Sequence, residues 1–469
     1  MKKVLSLILV LMLLLTACGG KPTAEAPLST TATTTAPEET AALLVGFSKV
    51  CITPATSEPL AGYSDNDTRL SENVAEDIYA TCIAVTSGEE TILLYTIDTL
   101  NADHWDAQEY RHAIEDETGI ALDKIFIGAT HAHNCPADDG TYKVLLKGWL
   151  KEAAQEALAD RSPATVEAAT PTIEGMNFVR HYKMSDGTYA GSNFGSFADA
   201  EIEDYAAQAD NQAVLIKFLR GEDKQDVLMI NWQAHPDKAK EIGYNSIAPS
   251  WIGSLRDTVE AETGMLVAYF TGASGNLVPD SRIKEDKHGL SWQDYGKEAG
   301  LLLAAAASTT QPISGEGIQT RQVMQTVQID HSWDAMYTEA DEVFKLWKSN
   351  GLEAGTEKAK EYGFSSVYQA RAIRTRSQKP KTDSMELNVF SIGDIGFTAG
   401  TYEMFSESGA YVKENSPFAV TFLITGNSGY IATAEAHDYQ CYEAVTGYFV
   451  KGTAEILAEK YVEMLKEIG

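Results

Sequence analysis

Two imidazoles one residue apart, in Thr130-His131-Ala132-His133-Asn134-Cys135-Pro136, are the first residues here whose types and spacing could do chemistry. Histidine is the commonest side-chain ligand for transition metals and the usual proton carrier near neutral pH. A His-x-His pair on a strand can equally be one core histidine beside one solvated one, so the pair needs company before it counts as a site. Ala234-His235-Pro236 supplies it: a third histidine leaves an apolar run, residues 227–232, and again meets a proline. Arg180, just before His181, has the planar fork that suits a carbonyl or carboxylate, or else a surface ion pair. Glu403 opens an apparent helix at 404–414, where its charge suits the helix dipole without any metal. Tyr430 follows the apolar run 420–425 and the turn Gly426-Asn427-Ser428-Gly429. Ser274, in Gly272-Ala273-Ser274-Gly275, lacks the Gly-x-Ser-x-Gly elbow of an activated serine nucleophile.

These residues need elements that present them together. Residues 124–129 and 91–98 read as buried strands, with residues 103–118, apolar at helical spacing, as the crossover between them. In such a βαβ unit, ligands bind outside the carboxyl ends of the strands. Asp98 and both histidines fall at that edge. Residues 45–53 predict a first strand and 78–86 its partner, residues 143–158 an amphipathic helix, and residues 213–218 with 227–232 a hairpin. The result is a mixed α/β chain, in which residues 316–385 show the weakest pattern.

The N-terminus speaks to the compartment. Met1-Lys2-Lys3, an apolar run over residues 4–15, and Leu15-Thr16-Ala17-Cys18-Gly19 have the parts of a lipoprotein signal, with Cys18 as the lipidated residue. Residues 21–42, rich in Thr, Ala, Pro and Glu, cannot bury a core and read as a tether. The expected organisation is therefore a signal at 1–17, a tether at 18–43 and one catalytic domain at 44–469, lipid-anchored outside the cytoplasm of a bacterial cell. A formal charge of −30 repels phosphate backbones, so nucleic acid is excluded as a partner. Beyond Cys18, the thiols of Cys51, Cys82, Cys135 and Cys441 allow three fully paired connectivities, or none, and Cys135 could also ligate a metal.

Taken in order, the segments resemble the catalytic domain of the neutral/alkaline ceramidase family. Thr130-His131-Ala132-His133 is similar to its Thr-His-Thr-His, Ala234-His235-Pro236 to its His-Pro element, and Gly275-Asn276-Leu277-Val278-Pro279 to its Gly-Asp-x-x-Pro loop. Glu403 matches the glutamate of its Pro-Gly-Glu, and Tyr430 with Tyr442-Glu443 its tyrosine-bearing motif. Two positions depart: Val278 stands where the family has a serine, and Thr401-Tyr402 replaces its Pro-Gly. The resemblance implies a mixed β-sheet core flanked by helices, without the family's C-terminal immunoglobulin-like domain. It also implies one Zn2+ per chain held by His131, His235, Glu403 and Tyr430, with His133, Arg180 and Tyr430 as catalytic groups around a scissile amide. Cys135 and Cys441, flanking opposite halves of that site, are a candidate disulfide. The expected activity is zinc-dependent hydrolysis of a linear amide in a small molecule or an N-acyl lipid such as ceramide. The alternative is a non-catalytic, ligand-binding lipoprotein on the same fold.

Overall fold

The strand Ile125–Ala129 is buried at all five residues and pairs in parallel with Glu90–Ile97, so that Ala129 lies opposite Ile97. The helix His104–Thr118 makes the crossover, as its spacing predicts. It starts where the Asp103 carboxylate accepts from the backbone N–H groups of Trp105 and Asp106, and stops at Gly119, whose φ of 73° only glycine adopts without cost. Ala107, Tyr110, Arg111 and Ile114 form its buried stripe. These observations come from a computed structural model that describes residues 43–63, 69–191, 197–221 and 223–469. The expected signal, and all of the expected tether but Leu43, lie outside the described residues. No helix among the described residues is long and apolar enough to cross a membrane.

Three sheets of five, five and four strands build the core. The first sheet continues from Glu90–Ile97 to Tyr79–Ser87 and Leu44–Cys51. The second runs from Leu266–Thr271 through Val227–Trp232 and Val214–Leu219 to Thr165–Ala169, and the expected hairpin is its antiparallel pair. The third orders Ile318–Gln328, Thr382–Ile392, Ile395–Gly400 and Val420–Thr425. In every sheet one edge strand runs parallel to its neighbour: Ile125–Ala129 beside Glu90–Ile97, Leu266–Thr271 beside Val227–Trp232, and Val420–Thr425 beside Ile395–Gly400.

The inner faces of the three sheets share one apolar cluster that includes Phe126, Phe270, Phe390, Phe397 and Phe422. Phe390 stacks on both Phe126 and Phe397, with centroids 4.0 and 4.4 Å away. The outer faces are covered by helices: His104–Thr118 and Gly140–Ala159 on the first sheet, Trp251–Thr263 and Trp292–Ala307 on the second, Thr453–Ile468 on the third. Residues 316–385 hide a strand, three helices with their own small core, and a second strand. Ile318–Gln328 is hard to read because most of its side chains are polar or solvent-facing.

The parallel edge strands meet one another, and polar side chains tie their ends. The Thr271 hydroxyl donates to the Thr130 carbonyl at 2.8 Å, the Thr425 hydroxyl to the Thr271 carbonyl at 2.7 Å, and Asn427 Nδ2 to the Ala129 carbonyl at 2.8 Å. Gly128 permits the approach, since a Cβ there would meet Ile424 at 3.0 Å and Thr425 O at 3.4 Å.

Asp98 does end its strand, but its carboxylate belongs to the scaffold. Both oxygens accept from Arg256 of Trp251–Thr263, at 3.1 and 2.7 Å, and one also from Tyr79 N at 2.8 Å. Both side chains are buried, and breaking such a pair leaves an uncompensated interior charge. Arg256→Met should therefore cost about 3–5 kcal/mol of stability, measured by urea denaturation; a loss under ~1 kcal/mol would show that water reaches the pair.

Candidate metal centre

Each candidate ligand leaves the carboxyl end of a strand in one of the parallel pairs. His131 follows the edge strand of the first sheet by two residues, and its backbone N–H donates to Thr99 O at 3.0 Å. Its φ of 66° is left-handed, a conformation that costs a non-glycine residue about 1–3 kcal/mol and that gathers at functional sites. His235 follows the second strand of the second sheet, with its N–H donating to Leu277 O at 3.2 Å. Glu403 follows Ile395–Gly400 of the third sheet and lies opposite Tyr430 in a two-residue parallel ladder. Gly275 closes the space behind it: a Cβ there would sit 3.0 Å from Glu403 O and 3.1 Å from Met404 O.

The three imidazoles converge. Nε2 of His131 lies 3.1 Å from Nε2 of His235 and 3.3 Å from Nε2 of His133, and Glu403 Oε2 is 3.3 Å from the same His131 nitrogen. All four side chains are buried. Nδ1 of His131 donates to Leu100 O at 2.7 Å, and Nδ1 of His133 to Gly62 O at 3.0 Å. Carbonyls can only accept, so in the neutral rings both protons sit on Nδ1 and both Nε2 atoms turn lone pairs toward each other. Glu403 Oε2 is buried without a hydrogen-bond partner among the described residues. Converging lone pairs beside a partnerless carboxylate oxygen are mutually repulsive, and a cation between them removes the conflict. Imidazole nitrogen with carboxylate oxygen is a donor set that suits zinc.

Burial keeps two of the rings neutral, those of His133 and His235. It holds His133 down to about 4, and it depresses His235 well below the ordinary imidazole value, helped by His131 and Arg180. Tyr430 moves the other way, its phenol raised well above the usual value by burial and then by Glu403, so its hydroxyl keeps its proton.

Arg180 makes a buried ion pair rather than a surface one. Its Nε donates to Glu443 Oε1 at 2.7 Å and its Nη2 to Gly275 O at 2.7 Å, while the guanidinium carbon lies 5.5 Å from the centroid of the Tyr430 ring. Asn276 is structural here: Nδ2 donates to Glu407 Oε2 at 2.7 Å and Oδ1 accepts from Ser406 N at 2.9 Å. Ser274 is buried. The Cys135–Cys441 bridge is not formed, and all four described cysteines are free. Cys135 Sγ lies 3.8 Å from Ala248 O, and Cys441 Sγ caps a short helix by accepting from Ala444 N at 3.4 Å.

Some residues of the site had no sequence signal. Arg69 donates to Ala61 O at 2.7 Å and His133 O at 2.9 Å, tying the Gly62 turn to the histidine loop. Tyr63 puts its ring edge against His133, with centroids 5.5 Å apart, and its hydroxyl donates to Asp237. His181, Cys441 and Glu443 form a second buried group of metal-type atoms. Its members are already satisfied, because His181 Nε2 donates to Glu443 Oε2 at 2.7 Å and Arg180 neutralises that carboxylate. Only its placement beside Tyr442-Glu443, a motif visible in the chain, could have flagged it.

The class that emerges is a three-sheet α/β protein with a buried His-rich centre where the parallel edges meet. No family model and no curated protein matches the chain. Solved structures do. The chain is similar to a ceramidase complexed with C2, with a TM-score of 0.68 and 13% identity over 91% of this chain and 76% of that one. It is likewise similar to the neutral ceramidase from Pseudomonas aeruginosa, with a TM-score of 0.65 and 13% identity over 91% of this chain and 75% of that one. The fold is therefore ceramidase-like, as the order of motifs implies.

Loss of metal should track these residues. His131→Ala and His235→Ala should each lower bound metal in the purified soluble chain to near zero by elemental analysis, and full retention by either would remove that residue from the ligand set. Because burial keeps His133 and His235 neutral into acid, wild-type metal content should hold from pH 8 to below pH 5.5. Release with a midpoint near the ordinary imidazole value of about 6.5 would mean that the rings titrate as if in water.

Proposed function

We propose that this chain is a zinc-dependent amidohydrolase acting on a linear amide, with an N-acyl lipid of the ceramide type as its substrate class. The observation that carries the reading is the convergence of the His133 and His235 Nε2 atoms on His131 Nε2, which itself faces the partnerless Glu403 oxygen. The ceramidase-like fold supports it. His131, His235 and Glu403, with Tyr430 beside them, would hold the ion. Zinc at such a site supplies Lewis acidity toward an amide carbonyl and makes water a competent nucleophile near neutral pH.

The chain's own groups then have separable tasks. His133 carries its lone pair on Nε2 and accepts the proton of the attacking water as the water oxygen adds to the carbonyl carbon. The same proton passes to the amide nitrogen as the C–N bond breaks, giving a carboxylic acid and an amine. Tyr430 keeps its proton and donates a hydrogen bond to the oxyanion as it develops, with Arg180 adding positive charge behind it. Val278 has no part in this scheme, which needs no serine nucleophile.

In this reading the chain works at a membrane surface outside the cytoplasm, anchored through lipid on Cys18. Cys18→Ala should move the protein from the membrane to the soluble fraction without changing its melting temperature, and retention in membranes after a high-salt wash would end the anchor assignment.

The deciding experiment pairs elemental analysis with an N-acyl substrate panel. Wild type should bind zinc and release free acid and amine, while His133→Ala should keep its zinc and lose about 10²–10⁴-fold in kcat. Zinc without turnover of any amide would favour a ligand-binding lipoprotein, and no zinc at neutral pH would defeat the hydrolase reading.

A further inference from the structure

The buried group behind Arg180 has no task in the scheme above. Glu443 is wholly inaccessible to solvent and uses both oxygens. Oε1 accepts from Arg180, with Nε at 2.7 Å and Nη2 at 2.5 Å, and Oε2 accepts from His181 Nε2 at 2.7 Å. Behind the imidazole, the Tyr439 hydroxyl lies 3.0 Å from Nδ1. Since Nε2 must donate to a carboxylate, neutral His181 carries its proton there and Nδ1 accepts from the tyrosine. Four side chains from two distant segments, residues 180–181 and 439–443, thus form one hydrogen-bonded line ending at the Tyr430 ring.

Arg180 does not need Glu443 to stay in place as a piece of backbone. Its own N–H donates to Asn276 O at 2.9 Å, in line with the short ladder that pairs Phe178–Val179 with Leu277–Val278. What Glu443 fixes is the guanidinium. Burying an ion pair is often no more stabilising than apolar packing of the same volume, so such a pair is weak evidence for a purely structural role. This one differs from Asp98–Arg256 in where it points: its cation lies over Tyr430, which is itself paired with Glu403.

We propose that Glu443 is a positioning residue of the candidate centre, holding the Arg180 guanidinium against Tyr430, and that His181, braced by Tyr439, holds Glu443. The inference rests on the hydrolase reading above and adds the layer that orients its cationic group. Glu443 touches no reacting atom, and its effect passes through Arg180.

The test uses the soluble chain with zinc or, for a spectroscopic signal, cobalt(II) in its place. Glu443→Gln should keep full metal and lower kcat about 10- to 100-fold, the usual cost of losing such outer partners, with KM changed less than threefold. Glu443→Asp should recover part of that loss. Arg180→Lys should lower kcat similarly, and the double variant should be no worse than the worse single one, because both changes break the same link. The visible cobalt spectrum of Glu443→Gln should shift relative to wild type. Wild-type kcat with an unshifted spectrum, or additive losses in the double variant, would overturn the proposal and leave the hydrolase reading intact. Should Glu443→Gln fail to fold, His181→Phe, which keeps the Arg180–Glu443 pair and removes its brace, should still lower kcat with metal retained, and unchanged kcat there would count against the proposal. A wild-type chain that holds no metal and turns over no amide is the distinct outcome that sinks the hydrolase reading, and this inference with it.

Discussion

Everything about the candidate centre depends on three parallel strand pairs delivering their carboxyl ends to one place. Parallel pairing sends both strands of a pair out of the sheet on the same side, and here an edge strand from each sheet meets the other two at Gly128, Phe270 and Ile424. The residues just beyond those ends are therefore close in space although they come from widely separated parts of the chain. The aromatic cluster between the sheets fixes their mutual distance, and the helices outside leave the carboxyl edge clear for loops.

That geometry produces an electrostatic conflict which the fold makes no attempt to relieve. Leu100 O and Gly62 O force lone pairs on two neighbouring imidazole nitrogens toward each other, Glu403 keeps an oxygen without a partner, and His131 is held in a left-handed backbone conformation. Two other buried carboxylates are matched: Asp98 by Arg256, and Glu443 by Arg180 and His181. Lone pairs that converge beside a partnerless carboxylate oxygen in the interior are where physical chemistry expects a ligand.

The two matched pairs also show why a charged residue at a strand end is ambiguous from sequence. Asp98 and His131 leave adjacent parallel strands. Asp98 meets Arg256 from the helix packed on the second sheet, while His131 meets His235 and Glu403. The difference is made by which neighbouring element supplies the next side chain, and no local pattern records that.

What the sequence determined by itself was local and periodic. The apolar runs at 125–129, 227–232 and 420–425, the helical spacing of the crossover at 103–118, and the histidines placed just after buried strands follow from side-chain chemistry and spacing alone. Order along the chain was enough to suggest a ceramidase-like fold, because five short motifs had to recur in sequence. Tertiary structure decided the rest. His133 joins the imidazole group because its ring turns to within 3.3 Å of His131, Arg180 is buried in a pair with Glu443 from residues far along the chain, and Cys135 and Cys441 are left as free thiols. Those outcomes are set by long-range contacts between loops, where the distance between two side chains depends on the packing of three sheets rather than on any residue's neighbours in sequence.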